Sequence, residues 1–472
     1  NMTDNDIEPP RQESLLIPVG FLKKVVRGFE SLRGSPPELY KAYALKFLDS
    51  YSYFSFSIIF TLFLSDDFGF SDIQAGIVYG AWGALIAIYG LLAGVVVDNI
   101  GVAKSLRIGS LVSLLARVCI FVTTSSKVLL FQMLVTLPIG NSLGIPVLTT
   151  GIRRYTRESS RGFAFGLFYV VMNVAVLFSG LSIDAFTIWY KKGEALESEL
   201  SKEGWTFTSY RAIILTGVVT NAIQCVLSFT MREIKVNSST VGSMSNFRPK
   251  GGTFSQILRE TLASPSFWQV FVVCLITMNV RMIFRHLDAT LPKYMVREFG
   301  DDVPKGTIYS INPALIIILV PIITAATTEI PPLNMIHVGT YISAASVFFL
   351  VASTSISGCI MFVTVLSVGE AIWSPRLYDY TMSMCKEGRE GTYMALSSAP
   401  LFLAKLPVGF LSGYLLERYC PEEGKRNSQT MWLIIGLLTA SSPVFLTVLW
   451  SYISKKDHKE EQKYTELSTV AR

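Results

Sequence analysis

The chain has 472 residues, of which 50% belong to the hydrophobic set and 16% are charged, with a formal net charge of +6. A typical soluble domain carries about 25% charged residues, so this sequence lacks the polar surface that a water-soluble protein of this length needs. These values exclude a chain of large soluble domains and indicate an all-α, multi-pass membrane protein.

The first 41 residues predict a cytosolic tail that contains an amphipathic helix. Apolar residues recur at helical spacing between positions 21 and 29, and Lys23, Lys24 and Arg27 lie among them. A signal peptide would instead place its charges before an uninterrupted apolar core. The helix either lies on the membrane surface or packs on the protein's own cytosolic loops.

Twelve apolar segments follow, each long enough to cross a bilayer. They lie near 42–64, 74–98, 106–126, 128–150, 163–188, 210–231, 267–291, 308–326, 335–353, 357–379, 392–416 and 429–453. A polar stretch at 232–266 separates the sixth segment from the seventh. This arrangement predicts a six-helix bundle at 42–231, a cytosolic linker, a second bundle at 267–453 and a cytosolic tail at 454–472, which is the layout of a duplicated transporter.

The distribution of basic residues predicts that both termini are cytosolic. The loop at 153–161 carries four arginines, and Lys and Arg are enriched in cytosolic loops. The tail contains Tyr464-Thr465-Glu466-Leu467, which resembles endocytic and endolysosomal sorting signals. We therefore expect the plasma membrane or an endolysosomal membrane.

Motifs for enzymes, metals and cofactors are missing from the sequence. The six cysteines are scattered without a CxxC pair, and there are only three histidines. The sequence has no Walker loop, no GxSxG and no HExxH. We expect no enzymatic activity, no cofactor, no metal and no nucleic-acid partner.

Ten charged residues lie within the apolar segments, where charge is costly and often functional. The cations are Lys46, Arg117, Arg281, Arg285, Arg376 and Lys405, and the acids are Asp49, Asp184, Asp288 and Glu370. Purely structural pairing of Lys46 with Asp49, or of Arg285 with Asp288, is one interpretation because each pair is three residues apart. Pairing cannot account for all ten, because the cations outnumber the acids.

Arg281 and Arg285 predict an anion-binding face on the seventh segment. They are four residues apart, and forked guanidinium groups suit a carboxylate or a phosphate. Glu370 lies at a similar depth in the tenth segment, between Gly369 and Trp373, where a lone carboxylate can bind and release a proton. The structural alternative is a permanent Glu370–Arg281 bridge.

Small residues and helix breakers mark two further segments. Glycines in the second segment predict a close helix–helix interface; they are Gly76, Gly80, Gly83, Gly90 and Gly94. Breakers in the fourth segment are tolerated where a helix lines a cavity; they include Pro138, Gly140, Gly144 and Pro146, and Asn141 lies among them.

The loop after the second segment carries a recognisable motif. Gly94, Asp98 and Gly101, followed by Lys104 and Arg107, fit G-x-x-x-D-x-x-G with basic residues after it. At this place in a twelve-segment chain, the motif resembles the signature of the major facilitator superfamily. The resemblance implies two six-helix bundles, alternating access, a cytosolic latch through Asp98, and a cavity lined by helices 1, 4, 7 and 10.

Shorter stretches resemble the proton-coupled oligopeptide transporters within that superfamily. These stretches are Ser50-Tyr51-Ser52-Tyr53-Phe54, Phe168-Tyr169-Val170-Val171-Met172-Asn173, and Glu370 in the tenth segment. The ExxER motif of that subfamily is replaced by Lys46-Phe47-Leu48-Asp49-Ser50. This departure leaves peptide specificity and the proton relay of that subfamily open.

These observations predict a secondary active transporter for a small organic anion or a carboxylate-bearing zwitterion, coupled to protons. The candidate substrate ligands are Arg281, Arg285, Lys46, Lys405, Tyr53, Asn141 and Trp373, and the candidate proton carriers are Glu370 and Asp49. The alternative is a membrane receptor or adaptor that retains the fold without transport. The expected partners are the small-molecule substrate, a coupling proton and membrane lipids, and an accessory subunit stays open.

Overall fold

The computed structural model describes residues 19–192, 205–233, 259, 263–327, 330–383 and 403–450. The described part is helical and contains no β-strand. Its first half contains α1 (Val19–Leu32), α2 (Pro37–Phe68), α3 (Asp72–Ile100), α4 (Val102–Val122), α5 (Ser126–Phe131), a π-helical turn (Gln132–Thr136), α6 (Leu137–Ser142), α7 (Ile145–Tyr155), α8 (Glu158–Lys192) and α9 (Ser209–Phe229). Its second half contains α10 (Pro265–Ile276), α11 (Met278–Ala289), α12 (Leu291–Phe299), α13 (Lys305–Ala326), α14 (Pro332–Ser346), α15 (Phe348–Ala352), α16 (Ile356–Ser383), α17 (Lys405–Tyr419) and α18 (Ser428–Val448).

The membrane-spanning helices follow the predicted apolar segments. Within the described residues, ten helical stretches are long and apolar enough to cross a membrane, and α10 with α11 forms an eleventh span bent by 42°. Helix α17 contributes to the remaining span, and the part of the segment at 392–416 that precedes residue 403 lies outside the described residues. The predicted all-α, twelve-helix membrane fold is confirmed, whereas the domain boundaries stay a prediction because most of the linker and the whole C-tail lie outside these residues.

Local sequence fixes the sharp connection between α2 and α3. Gly69 ends α2 with φ of 68°, and its N–H bonds to carbonyl oxygens of the last turn, a left-handed cap that glycine adopts without strain. Ser71 and Gln74 then exchange backbone-to-side-chain hydrogen bonds at 3.0 and 3.2 Å. This reciprocal cap starts α3 and sets the angle between the first two spans.

The two bundles meet closely where α3 faces α17. A Cβ atom added to Gly76 would lie 2.1 Å from the carbonyl oxygen of Gly409, and one added to Gly80 would lie 3.0 Å from that of Leu406. Only glycine lets the two backbones approach so closely. The interface predicted from these glycines is confirmed, and it joins the two halves of the chain. A Cβ atom added to Gly90, by contrast, would meet no described atom within 4 Å.

We call distal the membrane face that contains the connections at 69–71, 300–304 and 420–427, and proximal the opposite face, which contains α1. Polar contacts join the bundles in their distal halves. Asp72 of α3 forms ion pairs of 2.7 Å with both Lys293 and Arg297 of α12. Asp184 of α8 accepts backbone N–H groups of Gly306 and Thr307 at 2.8 and 2.6 Å. The molecule is therefore closed on its distal side.

Helix α1 packs on the proximal end of α8. The rings of Phe29 and Phe163 meet edge to face with centroids 5.1 Å apart, and the Phe163 ring fills the space beside Gly28. Val26 of the same helix stays exposed. This contact is with a helix of the bundle, so packing on cytosolic loops and lying on the membrane surface both stay predictions.

Candidate functional site

A break in the seventh span lies one turn before Arg281. Helix α10 ends at Ile276 and α11 begins at Met278, after the 42° bend. Ser442 of α18 fills the break, because its Oγ donates to the Ile276 carbonyl at 2.6 Å and accepts the Val280 N–H at 3.0 Å. A broken membrane helix is tolerated when a neighbouring side chain satisfies the freed backbone groups.

Arg281 is buried but not saturated with hydrogen bonds. Its exposed fraction is 3%, and its guanidinium carbon lies 5.3 Å from the centre of the Trp373 ring. Among the described residues, Nε and Nη2 have no hydrogen-bond partner. A buried guanidinium nitrogen without an acceptor is costly, so these two nitrogens retain unused hydrogen-bonding capacity.

The Trp373 indole that supports Arg281 is itself fixed. Its Nε1 donates to Ser343 Oγ of α14 at 3.1 Å. Gly339, one turn before Ser343, gives α16 room, since a Cβ at this position would lie 2.7 Å from Trp373 Cβ. The ring therefore holds the guanidinium in one place through a cation–π contact.

Glu370 lies one turn before Trp373 on α16, and its partner is neutral. Its Oε2 accepts from Asn312 Nδ2 of α13 at 2.8 Å, and the same Nδ2 lies 3.0 Å from Ser367 Oγ. Among the described residues, no ion pair within 4 Å joins Glu370 to Arg281. The permanent Glu370–Arg281 bridge considered above is absent from this conformation.

Arg285 differs from Arg281 because its charge is paired. Its Nη1 lies 3.2 Å from Asp288 Oδ2, as the spacing of three residues allowed. Asp288 is fully buried and also accepts the hydroxyls of Ser57, Tyr79 and Tyr309 at 3.1, 3.0 and 2.8 Å. We call these four hydrogen bonds the Asp288 hub. Arg285 Nε is likewise buried without a hydrogen-bond partner among the described residues. The two arginines therefore differ in charge pairing, since Arg285 has a carboxylate within 4 Å and Arg281 has none in the described part.

Lys405 lies beside the Asp288 hub, enclosed by aromatic rings of the first bundle. Its Nζ donates to Tyr53 Oη at 2.8 Å and lies 4.1 Å from the centre of the Trp82 ring. Its aliphatic stem occupies the space left by Gly83. Lys405 and Tyr53, both predicted substrate ligands, thus contact each other across the bundle interface.

The remaining predicted residues, Lys46, Asp49 and Asn141, lie within the first bundle. Lys46 Nζ lies 4.9 Å from the centre of the Phe168 ring, and Asp49 Oδ1 accepts from Gln224 Nε2 at 3.2 Å. No ion pair within 4 Å joins Lys46 to Asp49 in the described part. Asn141 Nδ2 is buried and has no hydrogen-bond partner among the residues that the structure describes. The structure does not bring these three side chains into contact with Arg281.

Three polar contributors were missed by the sequence analysis. Asn312 bonds Glu370, while Ser57 and Tyr79 bond Asp288 across the bundle interface. Asn312 had a sequence signal, since it is an amide in an apolar run directly before Pro313. Ser57 and Tyr79 had none, because hydroxyl groups are common in membrane helices.

The loop motif is anchored by a residue outside it. Gly101 has φ of 90°, and Glu233 accepts the N–H groups of Val102 and Ala103 at 3.1 and 2.8 Å. A carboxylate is stabilised at a helix N-terminus by the unpaired N–H groups and the helix dipole. Glu233 thereby ties the end of the sixth span to the start of α4. The side chain of Asp98, and the surroundings of Gly94, lie outside the described residues.

Solved structures of transporters share this fold. Over 89% of this chain, it superposes on 97% of a proton dependent oligopeptide transporter with a TM-score of 0.66 and 15% identity. A POT family transporter in complex with 5-aminolevulinic acid superposes with a TM-score of 0.68 and 14% identity, over 89% of this chain and 97% of that chain. The nucleoside transporter NupG superposes with a TM-score of 0.69 and 12% identity, over 87% of this chain and 99% of that chain. At these identities the likeness concerns the fold alone.

A comparison with curated protein sequences found no match. The model of the Major Facilitator Superfamily matches residues 42–404, which is most of the chain and includes the loop motif, the first bundle and the second bundle as far as residue 404. The chain is a multi-pass membrane transporter, not an enzyme, and it belongs to the Major Facilitator Superfamily.

Proposed function

We propose that this transporter moves a small organic anion or a carboxylate-bearing zwitterion by alternating access, driven by a proton gradient. The observation that supports the proposal is the guanidinium of Arg281, which is buried and whose Nε and Nη2 have no hydrogen-bond partner in the part of the chain that the structure describes. These two nitrogens form one edge of the guanidinium plane, so their N–H bonds point in parallel. A carboxylate can accept both bonds at once.

The charge balance around Arg281 supports an anionic ligand. The Trp373 ring, whose centre lies 5.3 Å from the guanidinium carbon, offers a cation–π contact but no hydrogen-bond acceptor. Leaving a cation in this condition is unfavourable in a low-dielectric interior. Binding of a carboxylate removes that penalty and gives charge-assisted hydrogen bonds of about 1.5–3 kcal/mol.

Glu370 is the proposed proton carrier, because among the described residues no cation lies within ion-pair distance of its carboxylate. Its bond to Asn312 comes from a neutral amide, which remains satisfied when the carboxyl group takes a proton on its other oxygen. A carboxylate locked to an arginine would resist protonation through the attraction of opposite charges. Its position one turn from Trp373 couples protonation to the place where the ligand is held.

The fold neighbours are consistent with this class of substrate. One of them was solved with 5-aminolevulinic acid, a molecule that carries a carboxylate and an amine. Departure from the peptide transporters at Lys46 and Asp49 argues against transferring peptide specificity itself. The proposal is therefore a carboxylate-bearing solute, with the rest of the molecule unspecified.

Uptake by purified protein in proteoliposomes tests the proposal. Radiolabelled amino acids, dipeptides and dicarboxylates are presented with and without an inward proton gradient. We expect gradient-stimulated uptake of at least one carboxylate, loss of that uptake in Arg281→Gln, and normal uptake in the matched control Arg418→Gln, since Arg418 is exposed.

Two outcomes contradict the proposal. Undiminished uptake by Arg281→Gln would remove the anion ligand that we assign. A folded wild-type protein that moves no carboxylate, yet retains a partner through its N-terminal helix or C-tail, would instead favour the receptor or adaptor alternative.

A further inference from the structure

A surface pocket of about 560 Å³ opens at the proximal end of the first bundle. It lies where α2 begins and α9 ends, with α4 between them. Its charged lining consists of Glu38, Lys41, Arg107 and Arg232, and the Phe229 ring forms one wall. The pocket is remote from Arg281 and plays no part in the proposed transport site.

Positive charge dominates this proximal pocket. Among the described lining residues, three of the four charged side chains are cations, and the acid, Glu38, is nearly buried with Lys41 Nζ 3.9 Å away. Arg232 is exposed and has no hydrogen bond or ion pair to any residue that the structure describes. The electrostatic potential in the pocket therefore favours binding of an anion.

Two of the cations are held in place by the end of α9. Arg107 Nη2 donates to the Met231 carbonyl at 2.6 Å, and Lys41 Nζ donates to the Thr230 carbonyl at 2.7 Å. Capping of a helix C-terminus explains these bonds. These bonds do not use all the donors, because an ammonium has three N–H bonds and a guanidinium has five. The two cations are thus held at the rim of the pocket and keep N–H groups that can bind a further acceptor.

Exposed apolar side chains continue from the pocket along the membrane-facing sides of two helices. On α9 they are Val219, Ile223, Val226 and Phe229, and on α4 they are Ile108, Leu111, Leu115 and Val118. Ser110 and Ser228 hold the two helices together with their Oγ atoms 3.1 Å apart. Phe229 is 59% exposed and Val226 is 71% exposed. A polar pocket thus adjoins a lipid-facing apolar surface.

We propose that this proximal pocket binds the phosphate-bearing headgroup of an anionic phospholipid, whose acyl chains lie along α4 and α9. Basic pockets between helices on the cytosolic side recognise such headgroups, and the basic loop at 153–161 predicts that the proximal face is cytosolic. A free phosphate would use the cations alone, whereas a lipid uses both the cations and the exposed apolar surface.

Lipid titration followed by native mass spectrometry tests this proposal on the full-length protein in detergent. The probes are dioctanoyl phosphatidylglycerol and dioctanoyl phosphatidylcholine, which differ in net charge. We expect phosphatidylglycerol to bind more tightly. Arg232→Gln and Lys41→Gln should each weaken it about fivefold, as the loss of one charge near an anionic headgroup predicts.

The matched control is Lys104→Gln, because Lys104 is an exposed cation near the same face that does not line the pocket. Its affinity for phosphatidylglycerol should stay within about twofold of the wild type. Lys41→Gln also removes a helix cap and can change stability for that reason. Arg232→Gln is therefore the decisive variant for lipid binding, and its thermal unfolding is measured to show that it is folded.

Three results would overturn the proposal. They are equal binding of the two lipids, an unchanged affinity in a folded Arg232→Gln variant, and displacement of phosphatidylglycerol by inorganic phosphate at the same concentration. The last result would identify a site for a soluble anion rather than for a lipid.

Discussion

The distal bundle interface and the surroundings of Arg281 both contain buried charge, but they satisfy it in opposite ways. Asp288 accepts four hydrogen bonds, and Asp72 lies against two cations. Arg281 has two nitrogens without an acceptor among the described residues. Arg285 Nε also lacks one, so the contrast lies in charge pairing: Asp288 and Asp72 each have a counter-ion within 4 Å, whereas Arg281 has none in the described part.

This difference in pairing distinguishes charges that stabilise one conformation from a charge that we propose to bind a ligand. A buried charge without a partner costs several kcal/mol, so a saturated acid such as Asp288 stabilises the closed distal side as long as its donors remain. A buried cation without an acceptor, such as Arg281, instead lowers the stability of the protein without substrate. Binding of an anion to it would recover that free energy. This contrast predicts opposite results for mutations in the two regions.

The largest expected effect is at Asp288. Replacing Asp288 with Asn leaves the partly buried Arg285 without its counter-ion, which should lower the free energy of unfolding by about 3–5 kcal/mol. Thermal unfolding in detergent measures the change. The matched control is Asp301→Asn, because Asp301 is an exposed acid near the distal face, and it should unfold like the wild type.

A second substitution at Arg285 sharpens this prediction. Asp288→Asn combined with Arg285→Gln removes the stranded charge and should regain much of the lost stability. If Asp288→Asn unfolds at the wild-type temperature, the Asp288 hub does not stabilise the closed distal side.

Arg281 should give the opposite pattern, with a smaller effect. Lys in place of Arg281 keeps the charge but loses the parallel N–H edge, so substrate affinity should fall about 10- to 150-fold, as the loss of about 1.5–3 kcal/mol implies. Equilibrium binding of the transported solute measures this, and thermal stability should not fall. The same substitution at the exposed Arg418 is the control. Unchanged affinity would show that Arg281 is not a ligand.

Asp184 should show the smallest of the three effects. Its carboxylate caps the N-terminus of α13 through Gly306 and Thr307, and such a charge contributes about 0.3–1 kcal/mol, or up to about 2 kcal/mol when partly buried. Asp184→Asn should therefore speed hydrogen–deuterium exchange at 306–310 by about 2- to 30-fold. The control Asp301→Asn should leave exchange at 306–310 unaltered. If exchange in Asp184→Asn is as slow as in the wild type, the Asp184 cap does not stabilise the start of α13.

Much of the fold followed from the sequence because the bilayer imposes simple rules. Long apolar runs had to be helices, and glycines four apart at Gly76 and Gly80 had to lie at a close interface. The ion pair between Arg285 and Asp288 was one of the predicted possibilities, since three residues separate them. Each of these features depends on residues near one another in sequence.

The site could not be predicted in the same way, because it depends on distant contacts. Whether Arg281 or Arg285 remains unpaired depends on Asp288, which is kept in place by Ser57 and Tyr79, 231 and 209 positions earlier in the chain. Hydropathy likewise gave no sign of the break before Arg281, which Ser442 satisfies from the last span. Because these contacts join residues far apart in sequence, the difference in pairing between Arg281 and Arg285 could not be predicted.

The central claim is that Arg281 binds the substrate and Glu370 carries the proton as two independent groups. Comparing counterflow exchange with pH-driven accumulation in Glu370→Gln proteoliposomes tests it most directly. Because Gln mimics the protonated acid, the account predicts a stable variant that exchanges substrate at a near wild-type rate and accumulates none against its gradient. An unstable variant that loses exchange, and that regains stability when Arg281→Gln is added, would contradict the account by showing that the two residues form a structural pair.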